Sequence, residues 1–112
     1  MKYTAVSGPD TSKLIGSWVR PDGGYLLEIK SIDKGGSMQA TYFNQRPINI
    51  ARAEWKLRDG LLMMYVELRD VNYPGSAYKL QYNPASDQLK GIYFQAVDKQ
   101  NFGIFFTRKK SD

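Results

Sequence analysis

An all-β fold, an eight-stranded antiparallel up-and-down barrel, is predicted by three features of the 112-residue sequence. Turn-forming clusters recur at short, even intervals. Between them apolar and polar residues alternate with period two, and a Gly-x-Trp tripeptide opens the first strand. The turn signals fall at residues 21–24, 33–36, 44–47, 58–60, 72–75, 83–87 and 98–101. There Gly, Asn and Asp supply positive φ and Pro presets a turn. Seven turns delimit eight segments. A chain of this length has room for one core, so the domain is placed at residues 14–109, with a flexible segment at 1–13 and a short tail at 110–112.

Taken in order, the segments present Trp18; Tyr25, Leu27 and Ile29; Met38, Ala40 and Tyr42; Ala51, Ala53 and Trp55; Leu62, Met64, Val66 and Leu68; Tyr78, Leu80 and Tyr82; Leu89, Gly91 and Tyr93; and Phe102, Ile104 and Phe106 to the inside. Successive side chains of a strand point to opposite faces, so the intervening Glu28, Lys30, Gln39, Arg52, Glu54, Lys56, Lys79 and Lys90 point outward. No segment has the ten or more residues of 3.6-residue periodicity that a helix needs; a helical turn is allowed only just before Leu14. About eight strands suffice to close a barrel and remove its edges. A two-sheet sandwich of the same strands is the alternative, because periodicity does not report closure. Leu26, Phe43, Met63, Tyr65, Ile92, Phe94 and Phe105 are apolar on the outer face, which suits an exposed patch.

Composition removes several kinds of chemistry. Without cysteine or histidine there is no thiolate site, no imidazole ligand and no Ser-His-Asp or Cys-His catalysis, and no metal or cofactor is expected. The net charge of +5 permits attraction to polyanions, but the basic residues are scattered singly along the chain apart from Arg108, Lys109 and Lys110. Neither nucleic acid nor a membrane span is expected. The sequence assigns no compartment. Its polar start is compatible with a periplasmic or secreted protein whose export signal has been removed.

Leu14-Ile15-Gly16-Ser17-Trp18, together with Arg108 in phase with Phe102, Ile104 and Phe106 at the end of the last strand, resembles the calycin superfamily of lipocalins, fatty-acid-binding proteins and avidin-like barrels. The short connections look avidin-like, and the whole chain is also similar to small uncharacterised bacterial proteins of this barrel type. The resemblance implies that Arg108 packs across Trp18 and closes one end, with Gly16 beside them. A guanidinium over an indole is worth about 0.5 to 2 kcal/mol.

With the first strand leaving that closed end, the odd-numbered connections lie at the opposite mouth and carry Arg, Asn, Tyr and Gln. The inward positions nearest the mouth, Arg20, Tyr25, Tyr42, Asn44, Asp70, Tyr73, Tyr78, Tyr93 and Gln95, form the candidate ligand site. Aromatic area with a few directed hydrogen bonds suits a small, partly apolar or amphipathic molecule. The expected function is therefore a non-enzymatic small-ligand-binding barrel. The alternative is a filled barrel that binds a protein, as an inhibitor or adaptor, or that self-associates through Phe43, Met63, Tyr65 and Phe105. No catalytic residue is assigned, since Asp22, Glu67, Asp70 and Asp98 are the only acids near the mouth and nothing in the strand phase pairs them.

Overall fold

The computed structural model describes residues 10–110. Its first feature follows from Asp10, whose side chain accepts a hydrogen bond from the Ser12 amide at 3.0 Å and caps a 3-10 helix, Thr11–Leu14. An aspartate at an N-cap satisfies a helix-end amide that has no backbone partner. Thr11 to Lys13 of the segment expected to be flexible take part in this turn, while residues 1–9 and 111–112 lie outside the described residues. Leu14 is fully buried, and its carbonyl accepts from the Trp18 indole at 3.0 Å.

The strands follow as β1 (Gly16–Val19), β2 (Leu26–Ile32), β3 (Met38–Phe43), β4 (Pro47–Ile48), β5 (Ile50–Arg58), β6 (Leu61–Asp70), β7 (Tyr73–Asn83), β8 (Gln88–Gln95) and β9 (Gln100–Arg108). They make one antiparallel sheet in the order β4-β3-β2-β1-β9-β8-β7-β6-β5, an up-and-down meander rolled into a nearly closed barrel. The turn chemistry acts as expected of it. Between Arg58 and Leu61, for instance, Asp59 and Gly60 hold φ of 53° and 81°, the positive pair a tight two-residue hairpin requires.

There are nine strands where eight were expected, because the fourth segment bends at Asn49. Ile48 pairs with Tyr42 of β3 and Ile50 pairs with Leu68 of β6. One run of chain therefore serves both edges of the sheet. Asn49 sits at the corner, its carbonyl accepting from the Arg69 amide at 3.0 Å and its amide donating to Asp70 at 2.8 Å. Farther along the seam the closure is sparse: a single bridge, Ser37 to Glu54, the Trp55 amide donating to Gly36, and the Trp55 indole donating to the Asp33 carbonyl at 2.7 Å.

Trp18, Leu27, Ile29, Tyr42, Val66, Leu68, Tyr78, Leu80, Leu89 and Phe106 are at most 1% exposed and fill the interior. Two expected core positions are corrected. Ala51 is exposed because a bulge between Ile50 and Arg52 leaves it without a ladder partner; the extra residue of a bulge drops out of the alternation. Phe102 is 45% exposed, since β1 pairs with only Arg108 and Thr107 of β9 and β9 runs on toward the mouth flanked by β8 alone. At Gly91 the β7 and β8 backbones approach so closely that a Cβ would lie 1.8 Å from the Lys79 carbonyl oxygen. Glycine there permits this close approach of two backbones.

Candidate functional site

At the closed end, Gly16 has φ of 140° and its missing Cβ leaves space for the Arg108 guanidinium, whose Nη1 would be 2.6 Å from such an atom. Arg108 lies 4.2 Å over the Trp18 ring. It donates to the Ile15 and Lys13 carbonyls at 2.9 and 2.6 Å, and its Nε is 2.7 Å from an Asp87 carboxylate oxygen. Asp87 in turn accepts from the Tyr82 hydroxyl at 2.8 Å. One side chain from the last strand thereby ties down the chain entry and the hairpin joining β7 to β8.

At the opposite end the alternation carries Arg20, Tyr25, Tyr42, Tyr78 and Tyr93 into one cluster. Arg20 is 8% exposed; its Nη1 donates to the Tyr78 hydroxyl at 2.9 Å and its Nη2 meets Asp22 at 2.7 Å. The guanidinium lies 4.4 Å over the Tyr25 ring. Tyr42 and Tyr78 share a hydrogen bond of 2.7 Å, and Tyr78 packs on Tyr93 at 4.6 Å between ring centres. A buried cation is tolerated only when paired and hydrogen-bonded, and here Asp22 and Tyr78 meet that condition. Burial opposes the Arg20 charge, but those two partners outweigh it and hold its pKa above the ordinary value. Burial raises the Tyr78 phenol to about 12 and pushes Tyr42 up as well. Both hydroxyls keep their protons at neutral pH, and these five side chains occupy the barrel's interior at the mouth.

The other expected mouth residues sit around this plug. The Asn44 amide donates to the Tyr73 hydroxyl at 2.7 Å, joining the turn between β3 and β4 to the first residue of β7. Asp70 accepts from the Asn49 and Val71 amides and from Arg46, bonds that lower its carboxyl to about 2, the Asn49 amide contributing most. Gln95 accepts from the Asp98 amide at 2.6 Å and so braces its own hairpin. A fixed residue that the sequence did not single out is Ser76, fully buried, whose hydroxyl accepts from the Ala96 amide at 2.9 Å.

A second feature lies outside the barrel. An open trough of about 890 Å³ crosses β5 to β8 and reaches the Gly35–Gly36 turn. The register row Trp55, Met64, Leu80 and Gly91 lines it between two outward rows that form its walls. Lys56, Met63, Gln81 and Lys90 stand opposite one another along one wall; Glu54, Tyr65 and Lys79 along the other. Arg52 pairs with Glu54 at 2.9 Å, whereas Lys56, Arg58, Lys79 and Lys90 make no ion pair among the described residues. These cations are far apart in sequence and adjacent in space. The signal was their common outward phase, but only the strand register brings them together.

Neither the family models, nor the curated proteins, nor the solved structures contain a match to this chain. Among the described residues, no three acidic side chains gather as a metal-holding group, and no helix is long and apolar enough to cross a membrane. The four outer residues expected to form one contact patch are separated. Met63, Tyr65 and Phe105 lie on the β6 to β9 wall, but Phe43 pairs with Leu26 and Pro47 at the mouth end of β3, the far end of that strand from the Ser37 bridge.

Proposed function

We propose that this is a non-enzymatic barrel that binds a partner protein with its outer wall, across β5 to β8. The observation that carries this reading is the contrast between the mouth and the outer wall. The mouth is occupied by Arg20 and its tyrosines, which satisfy one another, while the trough offers half-buried Met63 and Tyr65 beside three lysines that make no ion pair among the described residues. Carriage of a small ligand at the mouth is the second reading, favoured by the polar rim of Asn44 and Tyr73. It would require Arg20 to leave two hydrogen-bonding partners and a stacked ring, a desolvated cation to be re-paired by the ligand.

The non-enzymatic part draws support from the state of the acids near the mouth. Arg20 holds Asp22 down, Arg69 and Tyr65 hold Glu67 down, and Asp70 is fixed low by amides and Arg46. A general acid needs a carboxyl tuned upward, toward the working pH. The calycin likeness belongs to the same proposal and rests on Trp18 beneath Arg108.

The two readings separate by where binding is lost. Immobilised wild-type protein, the charge reversal Lys79→Glu with Lys90→Glu, and the rim variant Tyr73→Ala would be compared for retention of a partner from the native extract, and for thermal stabilisation by a panel of small apolar molecules. Retention abolished by the reversal and kept by the rim variant is the expected result. Stabilisation by an apolar molecule that disappears in the rim variant, with no partner lost on charge reversal, would overturn it in favour of carriage.

A further inference from the structure

We infer that the trough takes an extended acidic segment of the partner, with carboxylates at positions i, i+3 and i+4 and apolar residues at i+1 and i+2. This rests on the outer-wall reading and gives it a chemistry. The geometry follows from register. Lys56 and Lys90 stand in one row, on β5 and β8, and strands spaced about 4.8 Å apart put them about 14 Å from each other. An extended chain rises about 3.3 Å per residue, so side chains i and i+4, which point the same way, are about 13 Å apart. A segment lying along the trough therefore sets two carboxylates against these two lysines.

The odd side chains of such a segment point to the other wall. Residue i+1 comes level with Tyr65, and i+3, about 10 Å along, comes level with Lys79, two strands from β5. Residue i+2 rests between Met63 and Gln81 on the first wall. Apolar residues thus meet the half-buried Met63 and Tyr65, and acids meet the three lysines that have no ion pair among the described residues. Arg58, in the hairpin next to Lys56, extends the positive end. Complementary charge fixes register and speeds encounter, and the apolar contacts supply area.

A single-stranded nucleic acid fits the same wall poorly. It needs open aromatic faces for its bases and an uninterrupted basic track. The guanidinium of Arg52 lies 5.3 Å over the Tyr65 ring, the Tyr65 hydroxyl donates to Glu67, and Glu54 stands at the β5 end of the same wall. A base finds that face of the ring taken and a phosphate backbone would pass both carboxylates, whereas a peptide sets an apolar side chain beside Tyr65.

The test uses fluorescence anisotropy with a fluorescein-labelled, C-terminally amidated Ser-Glu-Leu-Leu-Glu-Glu-Ser peptide, its Gln-for-Glu counterpart and a labelled oligothymidylate. Amide NMR shifts of the full chain would locate each binding event. The acidic peptide is expected to bind at least about tenfold more tightly than the Gln peptide, to lose about tenfold in affinity with Lys79→Glu and Lys90→Glu, and to weaken with added salt. Shifts should centre on Lys56, Met63, Lys79 and Lys90, and the Tyr73→Ala variant should bind as wild type does. Unfolding midpoints of the variants within a degree or two of wild type would show that a loss of binding is local.

Equal binding of the Gln peptide, no saturable binding, or tighter binding of the oligothymidylate at these residues would each overturn the inference. If the peptide fails while the charge reversal still abolishes partner retention, the acidic-segment pattern falls and the outer-wall reading stands. If retention is also indifferent to the reversal, both fall together.

Discussion

Single side chains at the two ends of the barrel have unlike roles. Arg108 makes hydrogen bonds to two carbonyls and an ion pair while covering an indole, so Arg108→Ala should lower stability by about 2 kcal/mol. A urea titration reads this directly, and an unchanged midpoint would count against the closed-end lock. Gly16→Ala should act through the same residue, because the new methyl displaces the guanidinium and φ of 140° is strained for alanine. At the mouth, Tyr78→Phe removes the acceptor of Arg20 and the partner of Tyr42 and should cost about 1 to 3 kcal/mol by leaving buried groups unsatisfied. The sequence placed Arg20 and these tyrosines together by phase alone. It could not foretell that the inward arginine would be satisfied within the cluster itself, because that depends on Asp22 closing back on it within the turn and on the Tyr78 hydroxyl reaching it.

Among the elements, the contrast between two glycines is the sharpest check on the fold. Gly91→Ala drives a Cβ into the backbone of β7, where nothing flexible can give way, and should cost more than about 3 kcal/mol or prevent folding. Gly103→Ala, one strand away, meets nothing within 4 Å and should leave the unfolding midpoint nearly unchanged. Strand number and phase were largely legible because alternation and turn residues are local properties. The errors arose where a neighbouring strand decides the outcome. Ala51 left the core because a bulge against β6 drops it from the alternation, and Phe102 because β1 stops short beside β9. The trough was invisible for the same reason: Lys56, Lys79 and Lys90 look solitary until register is known. Hydrogen exchange should follow this division, with β4 and the start of β5 exchanging faster than β6 to β8, whose ladders are flanked on both sides.

For the molecule as a whole, the acids make stability depend on pH. Asp70 is lowered to about 2 from an ordinary value of 3.8, and Asp22, Glu67 and Asp87 are lowered by their arginine partners. A carboxyl depressed in the folded state stabilises it fully above the unfolded pKa and ceases to do so as pH falls through the folded one. Stability should therefore be flat near neutrality and decline from about pH 4 toward pH 2. Asp70→Asn should flatten part of that decline, an outcome that urea midpoints across the acid range would establish. On the alkaline side the sign reverses. Tyr78, raised to about 12 by burial, favours the folded state below the ordinary phenol value near 10 and loses that contribution as pH rises through about 12.

The bent run through Asn49 also bears on how copies of this protein behave when crowded. A sheet with two straight free margins invites another chain to add a strand and grow into a fibre. Here one margin ends in the two residues Pro47 and Ile48, with an imino acid that has no proton to donate, and the other starts at the bulge at Ala51 and carries Arg52 and Arg58. The two margins also face each other across the seam, bridged at Ser37 and Glu54, so the irregularity that weakens the wall also makes it a poor template for an added strand.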